Sequence, residues 1–128
     1  MEINAKPPSR KGPAETFNGD VWLDAIYVGE EPSSARVNVV RFSPGAHTAW
    51  HSHALGQTLF VIDGLGLVQK KGDEIVTLHP GDVVRAPANE EHWHGADPDH
   101  FMSHFSIAEG DTNWGAHVTD AEYRGQPG

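Results

Sequence analysis

Turn signals cut this chain into short extended runs, and that punctuation limits the fold more than any other feature. Ser43-Pro44-Gly45, Asp63-Gly64, Lys71-Gly72-Asp73 and His79-Pro80-Gly81-Asp82 each end one run and begin the next. Around them lie Val21–Tyr27, Ala35–Phe42, Thr48–His53, Gln57–Asp63, Leu65–Lys70, Glu74–Leu78, Val83–Ala86, Glu91–Gly95 and Phe101–Ala108. Several are rich in β-branched and aromatic residues, which suit a pleated, half-buried surface. About nine short strands with frequent turns predict an all-β sandwich or barrel. Thr119-Asp120-Ala121-Glu122 has the spacing of a helix capping box and predicts a short C-terminal helix. Residues 1–19, rich in Pro, Lys and Gly, are expected to form an N-terminal arm whose end Phe17 anchors. The whole of residues 1–128 suits one domain with its own core.

Within this frame, His51 and His53 form an H-x-H pair. Side chains alternate along a strand, so the two imidazoles point the same way and can share one metal ion through neutral nitrogens. Gly56 lets the chain turn back, bringing the amide oxygen of Gln57 within reach of the same ion. A second stretch begins at Gly81, runs as a strand to a turn at Pro87, and reaches His92. His51, His53, Gln57 and His92 are thus a candidate set of three nitrogens and one oxygen. All four are neutral, so a divalent ion there keeps its full charge and acts as a strong electrophile. Mixed N and O ligation suits Mn, Fe, Co, Ni or Zn.

The two stretches resemble the paired motifs of the cupin superfamily. In the first, Gly45, His51, His53, Gln57 and Gly64 stand at the motif positions, with Gln57 where Glu is commoner. In the second, Gly81, Pro87 and His92 match, Asn89 replaces a Gly and Ala96 replaces an Asn. Asn tolerates left-handed backbone, so the first replacement is mild. Further words extend the likeness to nearly the whole chain, to small single-domain cupins that include manganese-dependent bacterial hydroxynitrile lyases. They are Lys11-Gly12-Pro13-Ala14, Thr48-Ala49-Trp50-His51, Leu55-Gly56-Gln57-Thr58-Leu59, His79-Pro80-Gly81-Asp82-Val83-Val84, His92-Trp93-His94-Gly95-Ala96 and His117-Val118-Thr119-Asp120.

The resemblance implies a cupin fold, a double-stranded β-helix or jelly-roll barrel, around one divalent metal ion per chain, with manganese first among the five. It implies a lyase that cleaves a cyanohydrin to an aldehyde or ketone and HCN, with His104 as base. The alternatives are another metal-dependent cupin enzyme (dioxygenase, isomerase or decarboxylase) or a non-catalytic small-molecule-binding cupin. His94 shares a face with His92 and is read either as a catalytic group or as an orienter of a ligand. Asn38, Val40, Thr48 and Ala108 are the expected substrate-binding residues. Strict alternation puts Thr48 opposite His51, so its placement requires a bulge. Trp50 and Trp93 lie opposite the ligand faces and are expected to pack in a core or a subunit contact.

Composition narrows the partners. The net charge of −9 argues against a nucleic-acid partner, which would favour a basic face. With no cysteine, disulfides and thiolate sites are excluded. The N-terminal stretch lacks the apolar segment of a signal peptide, and no apolar run has membrane-spanning length. The expectation is a cytoplasmic protein acting on a small molecule, assembled as a homodimer or homotetramer.

Overall fold

The computed structural model describes residues 1–126. Its strands are β1 (Arg10–Lys11), β2 (Phe17–Asn18), β3 (Val21–Val28), β4 (Arg36–Phe42), β5 (His47–Thr48), β6 (His51–His53), β7 (Gln57–Gly64), β8 (Gly66–Lys70), β9 (Val76–Leu78), β10 (Val83–Ala86), β11 (His92–Ala96), β12 (Met102–Ala108) and β13 (Thr112–Trp114), followed by helix α1 (Asp120–Tyr123). They form two curled antiparallel sheets. One has the order β1-β3-β4-β12-β7-β10. The other runs β13-β6-β11-β5-β2, with β8 also on β11 and β9 on β8. The all-β expectation holds, and so does the terminal helix. Thr119 caps α1, its hydroxyl accepting from the Glu122 amide while the Glu122 carboxylate accepts from the Thr119 amide.

Eight of the nine expected runs appear as strands near their expected bounds, whereas Thr48–His53 is two strands, β5 and β6. The break has a local cause. Ala49 and Trp50 donate their amides to loop carbonyls, those of Thr16 and Ala116, instead of to a sheet neighbour. Losing strand geometry there resets the alternation, and Thr48 comes to the same side as His51. Strands β1, β2 and β13 were not expected. Each has only two or three residues and no apolar alternation, and each is held by its partner strand.

The expected arm is therefore tied down along its second half. Farther out, Lys6 and Ser9 converge on Asp24 together with Arg41. Lys6 Nζ and Arg41 Nη2 each lie 3.3 Å from a carboxylate oxygen, and Ser9 Oγ donates to the same group. Asp24 is buried on the outward side of the first sheet, and the Ser9 hydrogen bond, with Lys6 and Arg41, holds its carboxyl below the usual range.

Between the sheets, Phe17, Val21, Val40, Phe42, Ala46, Val61, Leu78, Ala96 and Met102 form one apolar cluster. A second cluster joins Trp50, Trp93, Val118 and Tyr123 under α1. The two tryptophans thus pack in a core, as expected. Alternation along β11 sends Trp93 to that side and His92 and His94 to the barrel interior. No helix among the described residues is long and apolar enough to cross a membrane.

Candidate metal centre

The left-handed backbone of Gly56 turns the chain from β6 into β7, and its added Cβ would lie 2.9 Å from the Ala86 carbonyl oxygen. Asn89 also adopts positive φ, at 63°, where the sequence motif has glycine, and its amide donates to the His53 carbonyl. These two turns bring β6, β7 and β11 together. As a result His51, His53 and His92 offer nitrogens all within 4.8 Å of one another, and all three are buried.

The other ring nitrogen of each histidine is already used. Nδ1–H of His51 donates to the Ala49 carbonyl, and Nδ1–H of His92 donates to the Glu90 carbonyl, each at 2.9 Å. His53 Nδ1 lies 3.2 Å from Thr112 Oγ1. The carbonyl contacts fix the tautomers of His51 and His92 and leave Nε2 as the lone-pair atom in both rings. His53 Nε2 is buried and has no hydrogen-bond partner among the described residues.

Gln57 supplies the fourth donor. Its Nε2 donates to Ser106 Oγ at 2.9 Å, which turns Oε1 towards His92 Nε2, also at 2.9 Å. A neutral imidazole has one N–H, and His92 has placed it on Glu90. Two lone pairs therefore face each other. Neighbouring donors on one ion, with bonds of about 2.1 Å, stand about 3 Å apart, so this separation suits a shared cation. Burial favours the same state. It holds His51 well below the ordinary imidazole pKa, brings His53 down to about 4 with further repulsion from His92 and Arg36, and lowers His92 as well. The rings are neutral at pH 7, as metal ligation requires. The residues present fit a divalent metal ion.

Next to the cluster lies a cavity of about 280 Å³. Asn38, Val40, Thr48 and Ala108, the expected substrate-binding residues, all line it, with His51, His53, Gln57 and His94. Thr48 Oγ1 is 3.4 Å from His51 Nδ1. Of the two expected catalytic histidines, His94 is on the cavity wall and His104 is not. His104 is fully buried behind it, with Nε2 2.9 Å from His94 Nδ1 and its ring against Phe42. Burial lowers both, His104 to about 4 and His94 well below its ordinary value with His104 adding repulsion. His94 Nε2 has no hydrogen-bond partner among the described residues.

The sequence assigned no site role to Ser106, Thr112, Arg36, Trp114, Pro13, Thr16 or Phe17, all of which line this cavity. Ser106 shares the inward face of β12 with His104. Thr112, Trp114 and the N-terminal residues come from short edges and loops whose position depends on distant pairing, and Arg36 opens β4 at the end of the barrel where Thr112 meets it.

Comparison with known proteins places the geometry in context. The cupin domain family profile matches residues 38–105. The chain is 45% identical over 130 residues to the (R)-mandelonitrile lyase of Granulicella tundricola, covering 97% of this chain and 99% of that one. A cupin-like protein of Thermotoga maritima superposes with a TM-score of 0.87 at 39% identity, over 98% of this chain and 96% of that one. A cupin-2 domain of Rhodospirillum rubrum shares the fold at 16% identity, with a TM-score of 0.70 over 97% and 84% of the two chains.

Proposed function

The chain belongs to the cupin family, and from that premise we propose that it is a metal-dependent lyase that reversibly cleaves a cyanohydrin to a carbonyl compound and HCN. The observation that carries this reading is the buried pair His94–His104, set beside a neutral three-histidine cluster on one small cavity. The likeness to a mandelonitrile lyase over nearly the whole chain supports it.

A bound divalent metal, manganese in this reading, supplies Lewis-acid charge for the substrate oxygen. The chain's own residues do the rest. His51, His53, Gln57 and His92 hold that charge without cancelling any of it. Asn38, Val40 and Ala108 set the shape of the cavity opposite the cluster. His94 presents Nε2 to the hydroxyl group. When Nδ1–H of His94 donates to His104 Nε2, Nε2 carries a lone pair and accepts the hydroxyl proton. The carbon–cyanide bond then breaks with its electron pair on cyanide, and His94 returns the proton to give HCN. His104 acts through His94, by selecting the tautomer. Elemental analysis of protein purified without added metal, followed by a mandelonitrile-cleavage assay, tests the reading. A loaded protein with no cleavage across a panel of cyanohydrins overturns it.

A homodimer through the outward side of the first sheet belongs to the same proposal. Phe60 pairs with Phe105 and with Val83 on adjacent strands, and Phe60, Ile107 and Trp22 are each more than two-fifths exposed. Exposed apolar residues on this sheet face suit contact with a second copy of the chain. A monomeric mass by light scattering at micromolar concentration counts against it.

A further inference from the structure

Arg36 lines the cavity, and among the described residues no carboxylate pairs with it. It is half-buried on β4 beside Asn38, and its Nη2 donates to the Gly110 carbonyl at 2.6 Å and to Thr112 Oγ1 at 3.3 Å. Both acceptors are neutral. Among the described residues no carboxylate lies within ion-pair distance of Arg36, and neither its Nη1 nor its Nε donates a hydrogen bond to any of them. The residues around the cavity include no Asp or Glu at all. This holds in a chain whose net charge is −9, so carboxylates are plentiful elsewhere and missing here.

Thr112 also contacts His53 Nδ1, which puts the guanidinium two hydrogen bonds from a ring of the three-histidine cluster. A neutral donor set cancels none of the charge of a divalent ion, and Arg36 adds another positive charge on the same cavity. Such a cavity repels cations, holds neutral molecules without using Arg36, and favours an organic anion. A guanidinium with unused N–H groups on Nη1 and Nε can hold a carboxylate by charge-assisted hydrogen bonding.

We propose that the physiological substrate carries a carboxylate, bound by Arg36 at one end of the cavity while its carbonyl or hydroxyl oxygen lies at the histidine cluster. The inference shares its cavity with the lyase reading but does not rest on the cyanohydrin reaction. A short organic acid with a keto or hydroxy group a few carbons from the carboxylate fits the two ends. Asn38, next to Arg36 on the inward side of the same strand, lies between those ends.

The test is calorimetric binding to manganese-loaded protein, with levulinate as the anionic probe and methyl levulinate as its neutral counterpart. Wild type is expected to favour levulinate by about tenfold, the scale of a charge-assisted hydrogen-bonded pair. Arg36→Gln removes that preference by weakening levulinate alone, and Arg36→Lys retains part of it because the charge survives. Metal content and thermal midpoint are measured on each variant. Should Arg36→Gln lose metal or unfold, Arg36→Lys and the salt dependence of levulinate binding to wild type decide instead. Equal binding of the two probes by wild type overturns the proposal, as does an anion preference that Arg36→Gln leaves intact. Mandelonitrile cleavage is assayed in parallel. Its absence overturns the lyase reading and leaves the levulinate result standing, so the two failures are distinct.

Discussion

His104 Nε2 lies 2.9 Å from His94 Nδ1, and both rings are buried and neutral, so the two residues share a single proton between these nitrogens. Where that proton sits decides whether His94 offers the cavity a lone pair or an N–H. Replacing His94 with Ala is expected to lower cyanohydrin cleavage by about 10²–10³-fold with metal content unchanged, within the range typical of general acid–base groups. His104→Phe keeps the cavity wall but removes the partner of His94. It should lower kcat with little change in KM and shift the pH profile of the surviving activity. An unaltered pH profile would mean that His104 only fills space.

Gln57→Glu separates binding from catalysis. A carboxylate holds a divalent cation at least as well as an amide oxygen, so metal content should not fall. The added negative charge opposes the developing anion in a partly dry cavity, and mandelonitrile cleavage should drop. Equal or faster cleavage by the fully loaded variant would show that ligand neutrality does not tune this site.

Ser106 is expected to matter for metal affinity without touching the ion. Its hydroxyl accepts from Gln57 Nε2 and so aims Oε1 at the cluster. Ser106→Ala frees the amide to rotate, and affinity for manganese should fall about tenfold, the lower end for residues that orient a ligand. Titration of metal-free protein with Mn(II) measures this. Unchanged affinity would show that the Ser106 contact does not set the orientation of Gln57.

Acid should unfold the metal-free protein. The folded chain keeps His53 and His104 neutral down to about pH 4, whereas the unfolded chain protonates them near the ordinary imidazole value of 6.5. Between those values unfolding takes up protons, so stability falls as pH falls, while above about pH 7 neither state binds them and the effect vanishes. The thermal midpoint should be level above pH 7 and decline from about 6.5 towards 4. A midpoint that rises on acidification over that window would contradict the buried-neutral assignment.

Much of this was legible in the chain because metal ligation and tight turns demand particular residues at fixed spacing. His51, His53, Gln57 and His92 converge as their spacing implies, and Asn89 takes the left-handed conformation its motif position requires. Thr48 reaches the cavity by the interruption that strict alternation called for. What stayed hidden depends on pairing between distant segments. Arg36 and Thr112 lie 76 residues apart and meet only because β4 and β13 close on the same end of the barrel. The layering of His94 in front of His104 was equally out of reach, since alternation says that both point inward and not which stands nearer the cavity. The strands of the arm carry no periodic signal, and their partners create them.

The carbonyl latches on His51 and His92 have one more consequence. Each ring is clamped by the chain two residues behind it, so the donor atoms are aimed by covalent neighbours and not by the ion. The site is therefore a socket cut in advance. Exchanging one divalent ion for another should require no rebuilding of the chain, which makes the metal a replaceable part and the scaffold a platform on which different chemistries can be compared with everything else held constant.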